Sequence, residues 1–514
     1  MSFSRQYQAK ICVPVCAKTV DDLGQSAVIA ANAGDMVEIR LDCLTQPAQD
    51  FNRAFELIRN LNRPVIFTLR PAEQGGHCDL SYSAREQFWI RHGPTVDVAL
   101  LDVEFDLVRK FAKTPTPPFD WNQIICSHHD FSGVPADLWE RYERMAQTPA
   151  RVLKIAVHAS DVSDCLPIFH LLERARDEGR DLIALAMGTS GIATRVLGPA
   201  WGGFLTYGAL DVERGTAPGQ LTAHDLRALY RIGKIDRETQ ITGLMGLPVS
   251  HSVSPHIHNA GFEAAGVNAV YLPLEVRNVE AFMRRMIHPR TREIQWKMRG
   301  LSVTAPHKAA VMTHLDSIES AAQEIGAVNT IVVGDEALRG YNTDATAVLQ
   351  PVIERLGALR DARCAIIGAG GAASAALFSI RREGARATVF ARDHAQAGAL
   401  AGKFCAESKR LDEAQFGDYD VVINCTPLGT SGPCESETPA AAAQLHGARL
   451  AYDLVYNPTD TCFLREARAA GCDTLGGLPM LLAQASEQFK LWTGLDAPLE
   501  TMREAALSGI ESSQ

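Results

Sequence analysis

The sequence has no apolar run long enough to cross a membrane, which needs about 18 consecutive apolar residues. The first ten residues, MSFSRQYQAK, also lack the apolar core of a secretory signal. Hydrophobic residues make up 46% and charged residues 21% of the 514-residue chain, a composition typical of globular proteins. We therefore expect a cytoplasmic protein without a membrane partner.

A basic stripe is also missing, and the formal net charge is -10. Proteins that bind nucleic acids usually cluster Lys and Arg on one face. The charge distribution therefore argues against nucleic acid as the main partner. An anionic small molecule would have to be held by local Arg and Lys against an unfavourable overall field.

The 12 cysteines are scattered, and no C-x-x-C motif occurs. The nearest pair, Cys12 and Cys16, lies on one short apolar run. Disulfide frameworks and metal sites usually appear as repeated short cysteine spacings. The sequence therefore predicts free, buried thiols, with no disulfide framework and no metal site.

Eight short apolar runs alternate with helix-like segments over the first part of the chain. The runs span residues 11–16, 37–42, 64–70, 98–105, 122–128, 151–157, 181–187 and 203–209. Strands that alternate with helices favour a parallel sheet, and eight such units favour a TIM (β/α)8 barrel within an α/β protein. In that fold the reactive groups lie at the C-terminal ends of the strands.

The stretch MVEIRLD (36–42) alternates apolar residues with Glu38, Arg40 and Asp42. Its charged face is either a solvated sheet surface or part of a binding site inside a barrel. Because the stretch reads as the second barrel strand, we expect Glu38 and Arg40 to face the axis near the mouth. We expect Asp42 to support Arg40 or a neighbouring lysine.

Two further barrel features carry chemistry. In RVLKIAV (151–157) the alternation directs Lys154 toward the axis, where a neutral amine would be a nucleophile for a ketone. Alternatively, its head reaches solvent at the barrel mouth. CSHHDF (126–131) ends the fifth strand with His128 and His129, of which either could be a general acid and base.

A polar segment, YRIGKIDRETQ (230–240), is interpreted as a linker, and strands and helices mix from 241 to 343. RCAIIGAGGAASAALFSI (363–380) then predicts a strand, a glycine turn and a helix. The bare glycines would let the backbone approach a pyrophosphate at the helix N-terminus. After the next strand, Arg392 is placed to meet a 2′-phosphate, which favours NADP. Asp393 could instead bind the free 2′-hydroxyl of NAD.

Polar motifs between 246 and 344 add candidate substrate ligands. Ser252 and Ser254 precede a helix and either bind a carboxylate or simply cap that helix. GLSVTAPHK (300–308) carries Thr304 and Lys308. GAVNTI (326–331) carries Asn329, and GYNTD (340–344) places Asp344 either in a site or in an ordinary turn.

Over residues 10 to 225 the chain resembles the type I 3-dehydroquinate dehydratases. The ordered motifs are EIRLD, TLRPAEQGG (68–76), SHHDF, KIAV, MGTSGIATR (187–195) and TAPGQ (216–220). The resemblance implies that Lys154 forms a Schiff base with the substrate ketone and that His129 is the acid and base. It further implies that Arg195 clamps the substrate carboxylate. Other substrate ligands would be Glu38, Arg40, Arg70, Thr216 and Gln220.

The barrel departs from that family at two positions. The family commonly has Glu where this chain has Gln74, and Ser where it has Thr216. Both replacements keep hydrogen-bonding capacity, but Gln74 removes a charge that could tune the nearby histidine.

Residues 241 to about 505 resemble the shikimate dehydrogenases, with NCTPLGT (424–430), DLVYNP (453–458) and GGLPMLLAQA (476–485) completing the motifs. The resemblance implies NADPH-dependent reduction of 3-dehydroshikimate, with Lys308 and Asp344 as the catalytic pair. Its implied substrate ligands are Ser252, Ser254, Thr304, Asn329, Tyr456 and Gln484. Its implied cofactor ligands are Gly368, Gly370, Gly371, Ala372, Arg392, Thr426 and Gly477. The family usually has Asn-Arg-Thr at 391–393, where this chain has Ala-Arg-Asp.

These resemblances predict three domains: a dehydratase barrel (1–235), a substrate-binding domain (236–343) on which the C-terminal helices (486–514) pack, and a Rossmann-like NADP domain (344–485). Together they predict two consecutive steps of the shikimate pathway. The alternatives are a quinate-directed enzyme and a non-catalytic quinate or shikimate sensor. Ser254 favours shikimate, because related quinate dehydrogenases tend to lose that serine. The expected partners are small molecules, and the oligomeric state stays open.

Overall fold

The computed structural model describes residues 9–95, 98–211, 215–217, 219–250 and 252–512. Contacts divide the chain into two compact units. Unit 1 contains Met1–Gln240, Asn268–Met286 and Thr291–Lys297, and unit 2 contains Ile241–Val267, Ile287–Arg290 and Met298–Gln514. Among the described residues, no helix combines the length and apolarity that a bilayer crossing requires.

Unit 1 contains a barrel of eight parallel strands. They are β1 Ile11–Val15, β2 Met36–Arg40, β3 Val65–Thr68, β4 Leu100–Glu104, β5 Ile124–Asp130, β6 Val152–His158, β7 Asp181–Met187 and β8 Thr206–Tyr207. The sheet order is β7-β6-β5-β4-β3-β2-β1-β8, and a bridge from Leu182 to Gly203 nearly closes it. The barrel prediction is therefore confirmed.

Helices connect successive strands of the barrel. They are α1 Val20–Ala33, α2 Pro47–Ile58, α3 Tyr82–His92, α4 Phe105–Phe111, α5 Leu138–Ala146, α6 Leu166–Asp177, α7 Ile192–Leu197 and α8 Ala223–Arg227. Unit 1 also contains β10 (Ala269–Glu275) and α10 (Val279–Phe282). Thr19 caps α1 and Ser81 caps α3, each accepting a backbone N–H with its hydroxyl.

Side chains inside the barrel form an apolar layer with a polar layer above it. The apolar layer includes Cys12, Met36, Ile66, Leu100, Ile125, Val152 and Ile183. The polar layer lies two residues further along these strands and consists of buried side chains, namely Glu38, Thr68, Asp102, Ser127 and Lys154. Because residues i and i+2 of a strand share a face, the polar layer lies toward the C-terminal strand ends. The barrel therefore has an apolar floor and a charged mouth.

In unit 2, strands β9, β11, β13, β14 and β12 follow one another in a mixed sheet. Their bounds are β9 Gln240–Gly246, β11 Lys297–Val303, β12 Ser317–Ile318, β13 Thr330–Val333 and β14 Leu338–Tyr341. The β11–β13 and β13–β14 pairs are antiparallel, and the β12–β14 pair is parallel. The associated helices are α9 Ser254–Ala264 and α11 Ser320–Ile325.

A second sheet in unit 2 is wholly parallel, with the order β17-β16-β15-β18-β19-β20. Its strands are β15 Arg363–Ile367, β16 Arg386–Ala391, β17 Glu407–Arg410, β18 Val421–Asn424, β19 Leu450–Asp453 and β20 Asp473–Leu475. The strand order reverses between β15 and β18. In open α/β sheets, ligands bind at the carboxyl ends of the strands beside such a reversal.

The remaining helices of unit 2 surround these sheets. They are α12 Asp344–Ala347, α13 Gln350–Leu356, α14 Gly371–Arg382, α15 His394–Phe404, α16 Ala442–Leu445, α17 Cys462–Ala469, α18 Leu478–Thr493 and α19 Leu499–Glu511. Helices α18 and α19 pack on α9 in one apolar cluster, formed by Val253, Ile257, Leu481, Ala485, Met502, Ala506 and Ile510.

The expectation of free thiols is wrong for two cysteines. Cys16 and Cys43 form a disulfide, with their Cα atoms 5.4 Å apart. Cys16 directly follows β1, and Cys43 ends the 3-10 turn Leu41–Cys43 after β2. The two strands are neighbours, so residues 27 positions apart in the sequence meet at one edge of the sheet. The spacing of the two cysteines along the sequence did not reveal this proximity. The parallel pairing of β1 with β2 creates it.

Candidate active sites

One pocket opens at the charged mouth of the barrel. Every barrel residue predicted to bind substrate or to act in catalysis lines this pocket. Its walls are formed by Glu38, Arg40, Arg70, Gln74, Gly75, His129, Phe131, Lys154, Ala156, Leu185, Met187, Arg195, Tyr207, Thr216, Ala217 and Gln220. Strands β2, β5, β6, β7 and β8, helix α7 and the loops after β3, β5 and β8 contribute these residues. The topology thus brings together residues that are spread between positions 38 and 220 of the sequence.

Lys154 lies at the bottom of this pocket and is only 4% exposed. Its Nζ donates hydrogen bonds to Asp102 at 2.8 Å, to the Tyr207 hydroxyl at 2.8 Å and to Glu38 at 3.2 Å. The interpretation that its head reaches solvent is therefore wrong. Two carboxylates close to the amine compensate the cost of burying it.

Sequence reasoning missed Asp102, which is central to the charge network. Its carboxylate also pairs with Arg70 at 2.7 Å. Burial by itself would raise the pKa of Asp102, but the charges of Arg70 and Lys154 hold that pKa below its ordinary value. The alternation Leu100–Asp102–Glu104 on β4 resembles that of β2 and could have indicated an inward-facing acid.

Two arginines of the pocket wall are held by buried partners. Arg40 forms a bidentate ion pair with Asp42, at 2.9 and 2.7 Å, as predicted for Asp42. Burial would raise the pKa of Asp42, but Arg40 holds it below the ordinary value. Arg70 donates to Ser127 Oγ at 2.8 Å. These contacts fix guanidinium groups beside the space in front of Lys154.

The two adjacent histidines have different environments. His129 lines the pocket, and its backbone N–H donates to Gln74 Oε1 at 3.0 Å. Burial, followed by the charges of Arg70, Lys154 and Arg40, lowers its pKa well below 6.5. His128 instead meets Arg141 of α5, whose guanidinium lies 2.6 Å from Nε2. Burial and then Arg141 lower the pKa of His128 to about 4.

The opposite wall of the pocket holds Arg195, Thr216 and Gln220. Arg195 lies on α7 and is 1% exposed, and burial lowers its pKa to about 10. Gln220 Oε1 accepts the backbone N–H of Thr216 at 2.9 Å. A Cβ at Gly219, which has φ +65°, would lie 2.2 Å from Gly188 C, so the two loops pack closely. A cation at this wall suits a carboxylate ligand.

A second cluster of polar residues lies in unit 2. Lys308 Nζ donates to Asp344 Oδ2 at 2.5 Å. Asn329 Nδ2 donates to Asp344 Oδ1 at 2.8 Å and to Gln484 Oε1 at 3.3 Å. The residues come from the loop after β11, the start of β13, the start of α12 and the middle of α18. Asp344 therefore belongs to a buried network and is not part of an isolated turn.

The two serines lie at the start of α9. Ser252 Oγ donates to Ser254 Oγ at 3.0 Å and accepts the backbone N–H of Ser254 at 3.2 Å. Burial raises the pKa of Tyr456, although a hydrogen bond with Ser252 opposes that shift. Thr304 follows β11 and is half-buried, four residues before Lys308. The N-cap residue Val253 makes no side-chain capping bond, but Ser252 Oγ accepts the N–H of the first residue of α9, so the capping alternative for Ser252 stands beside carboxylate binding.

The glycine turn lies between β15 and α14, beside the reversal of strand order. Gly368 has φ +116°, and a Cβ there would approach Thr426 to 3.2 Å. A Cβ at Gly371 would lie 3.3 Å from Lys308 Cδ. Gly477 is the N-cap of α18, and a Cβ there would lie 2.3 Å from the Leu454 carbonyl oxygen. These three glycines therefore allow close approaches that a Cβ would hinder, and the turn between β15 and α14 is next to Lys308.

Arg392 and Asp393 differ in their availability to a ligand. Arg392 is exposed directly after β16. Asp393 is the N-cap of α15, and its Oδ1 accepts the Gln396 backbone N–H at 3.0 Å. This contact orients the Asp393 carboxylate toward its own helix. The arrangement fits a 2′-phosphate on Arg392 better than a 2′-hydroxyl on Asp393.

Family models match three parts of the chain. The type I 3-dehydroquinase model covers residues 11–237, and the shikimate dehydrogenase substrate binding domain covers residues 244–331. The shikimate 5'-dehydrogenase C-terminal domain covers residues 477–507.

Three similar proteins agree with these matches. A relative from Arabidopsis thaliana, named as a bifunctional 3-dehydroquinate dehydratase/shikimate dehydrogenase, is 34% identical over 95% of this chain and 83% of its own. An NADP(+) shikimate dehydrogenase from Oleidesulfovibrio alaskensis is 39% identical over 53% of this chain and 96% of its own. A crystal structure of a shikimate dehydrogenase in complex with NADP+ matches with a TM-score of 0.50 and 34% identity, over 54% of this chain and 97% of its own. The chain belongs to the family of bifunctional 3-dehydroquinate dehydratase/shikimate dehydrogenases.

Proposed function

We propose that this chain dehydrates 3-dehydroquinate to 3-dehydroshikimate and then reduces that product to shikimate with NADPH. The observation that carries the proposal is Lys154, a buried lysine at the bottom of a pocket that also holds a histidine and arginines. A second lysine, Lys308, is paired with Asp344 next to a dinucleotide-type glycine turn. The two clusters therefore suit two successive reactions at a carbonyl group: the dehydration of 3-dehydroquinate at Lys154 and the reduction of 3-dehydroshikimate at Lys308.

In the dehydration, the Lys154 amine attacks the ketone carbon of 3-dehydroquinate, and water leaves as the imine forms. The imine draws electrons from the neighbouring carbon, which makes its proton acidic. His129 is suited to remove that proton because its lowered pKa keeps the ring neutral. The hydroxyl on the next carbon then leaves as water with a proton from His129. Hydrolysis of the imine releases 3-dehydroshikimate and restores the lysine.

Charged residues around Lys154 would orient the substrate ring. Arg195 supplies a buried guanidinium for the carboxylate. Arg40, held by Asp42, and Arg70, held by Asp102, would bind ring hydroxyls together with Glu38, Thr216 and Gln220. Because these partners are fixed before substrate arrives, little reorganisation is needed for binding.

In the reduction, Ser252 and Ser254 would bind the carboxylate, and Thr304, Asn329, Gln484 and Tyr456 would surround the ring. When bound, NADPH supplies the hydride to the carbonyl carbon. Lys308 would give a proton to the carbonyl oxygen, and Asp344 holds the Lys308 head at 2.5 Å. The glycines at 368, 370 and 371, Ala372, Thr426 and Gly477 would line the cofactor, with Arg392 on the 2′-phosphate.

A quinate-directed dehydrogenase is the second candidate, and Ser254 argues against it. The Ser254 hydroxyl contacts Ser252 in the position where a substrate carboxylate would be recognised. A sensor is disfavoured because Lys154, His129, Lys308 and Asp344 are all present.

The same proposal includes a domain division at residues 235, 343 and 485 and a cytoplasmic location. Limited proteolysis and cell fractionation test them.

One coupled assay tests the whole proposal. The protein is incubated with 3-dehydroquinate and either NADPH or NADH, and shikimate is quantified. Borohydride is added to a parallel dehydroquinate incubation, and the mass of the chain is measured. We expect shikimate with NADPH and a trapped adduct on wild type that Lys154→Ala does not form. The exposed Lys110→Ala is the matched control, and an untrapped wild type would reject the Schiff base.

A further inference from the structure

Three potential metal ligands meet at the rim of the barrel, outside the pocket lining. Cys16 follows β1, Cys43 follows β2 and His77 lies in the loop after β3. One ligand atom from each residue lies within 4.8 Å of the other two. Cys16 and His77 are exposed, and Cys43 is 9% exposed. Three consecutive strand ends thus bring two sulfurs and an imidazole together, with Cys16 and His77 open to solvent.

We propose that Cys16, Cys43 and His77 bind a zinc-class divalent cation in the reduced protein, and that the same two sulfurs close as a disulfide on oxidation. Two thiolates and an imidazole are ligands that Zn²⁺ prefers. Three protein ligands leave the fourth tetrahedral position to water. The site is independent of the proposed function, since it uses none of the residues assigned to either reaction.

The backbone already meets the demands of such a site. In a tetrahedral zinc site, ligand atoms about 2.0–2.3 Å from the metal lie roughly 3.3–3.8 Å from one another. The two cysteine Cα atoms are 5.4 Å apart, and the three ligand atoms lie within 4.8 Å. Rotation of the side chains is therefore sufficient to admit the cation once the sulfurs separate. The strands that carry them stay paired.

Asp42 supports the third ligand. Its carboxylate accepts the backbone N–H of His77 at 3.1 Å and that of Arg70 at 3.2 Å. Asp42 also directly precedes Cys43, so one buried residue fixes the chain on both sides of the site. These bonds fix the backbone from which the His77 imidazole extends, which limits where the third ligand can lie.

The two states interconvert with balanced chemistry. A dithiol reductant attacks the Cys16–Cys43 bond through a mixed disulfide, delivers two electrons and two protons, and leaves as its own disulfide. The cation then displaces the two thiol protons as both sulfurs bind it. Oxidation by a disulfide-class oxidant reverses the sequence and releases the cation.

Metal binding to the full-length protein tests the proposal. The chain is reduced with a phosphine, and the reductant is removed in the absence of oxygen. One sample is titrated with Zn²⁺ in competition with a chromophoric chelator, which measures affinity. A second sample is titrated with Cd²⁺, whose charge-transfer absorption reports thiolate ligands. We expect about one tight equivalent per chain, with two thiolates on the cation. Cys16→Ser and Cys43→Ser should abolish the absorption, and His77→Gln should weaken binding at least about tenfold.

Cys78→Ser is the matched control, because Cys78 is the half-buried thiol next to His77 in the sequence. It should bind the metal as wild type does. The oxidised wild type should take up none at this site and should yield a Cys16–Cys43 linked peptide. Any one of four results would overturn the proposal. They are no thiolate absorption in the reduced wild type, binding by Cys16→Ser equal to that of the reduced wild type, binding by the oxidised form equal to that of the reduced form, and loss of binding in Cys78→Ser.

Discussion

Lys154 lies in a network of buried charges, in which Asp102 contacts both Lys154 and Arg70. Glu38 adds a second carboxylate and accepts a hydrogen bond from Thr68 at 2.7 Å. Removing one member of a buried ion pair leaves the charge of its partner buried without compensation. The resulting loss of stability is larger than the net stability that the intact pair contributes. The network thus keeps a lysine inside the barrel and fixes its position in the pocket.

Asp102→Asn should therefore impair unit 1 selectively. The substitution leaves Lys154 and Arg70 without their shared counter-charge, so we expect the free energy of unfolding to fall by about 3 kcal/mol and dehydratase turnover to fall with it. Urea unfolding and dehydratase kinetics measure these effects. The exposed Asp106→Asn, which follows the same strand, should change neither. Unchanged turnover in Asp102→Asn would contradict this role.

Gln74→Glu should change the pH dependence of the dehydratase. Gln74 touches the His129 backbone, and a carboxylate there would favour the protonated ring. The pKa of His129 would rise. As the pH is lowered, the ring would therefore be protonated, and the neutral base lost, at a higher pH than in the wild type. We expect the acidic limb of kcat/KM to move up by about one pH unit. Glu73→Gln is the control, since Glu73 pairs with Arg85 outside the pocket.

At the scale of elements, the strand β2 and the contact of Asp42 with Arg40 were predictable, and the other partners of Asp42 were not. Alternation placed Glu38 and Arg40 on the inward face, as observed. The chain leaves the strand in a 3-10 turn that brings Asp42 back to Arg40 and to the backbone of Arg70 and His77. Those partners lie 28 and 35 residues further along the chain. Local alternation carries no information about such distances.

The β16–α15 junction allows a matched pair of substitutions. Arg392→Gln removes the exposed guanidinium from the proposed 2′-phosphate, so we expect KM for NADPH to rise about tenfold and KM for NADH to stay constant. Asp393→Ala removes the helix cap and should cost about 1 kcal/mol of stability without changing the NADPH preference. Reductase kinetics with both cofactors and thermal unfolding separate the two effects. A changed preference in Asp393→Ala would contradict the cap assignment.

At the scale of the whole molecule, the lysines proposed for the two activities lie in different units, Lys154 in unit 1 and Lys308 in unit 2. Lys154→Ala should retain the reductase, and Lys308→Ala should retain the dehydratase. An equimolar mixture of the two variants should therefore convert 3-dehydroquinate to shikimate through released intermediate. Shikimate formation in the mixture with NADPH is the measurement, and either variant alone is the control. A mixture that forms none, although each variant keeps its remaining activity, would show that the intermediate is not exchanged.

The sequence by itself determined the barrel, the dinucleotide-type turn and the inward faces of Glu38, Arg40 and Lys154, because alternation and strand–helix order are local properties of the chain. The other predicted pocket residues followed from motifs that resemble a known family. The tertiary structure alone decided which distant residues meet. It placed Asp102 and Tyr207 on Lys154, set His128 against Arg141, and joined Cys16 to Cys43. Each of these contacts crosses between elements. Strand pairing and barrel closure create them, and spacing along the chain does not record them.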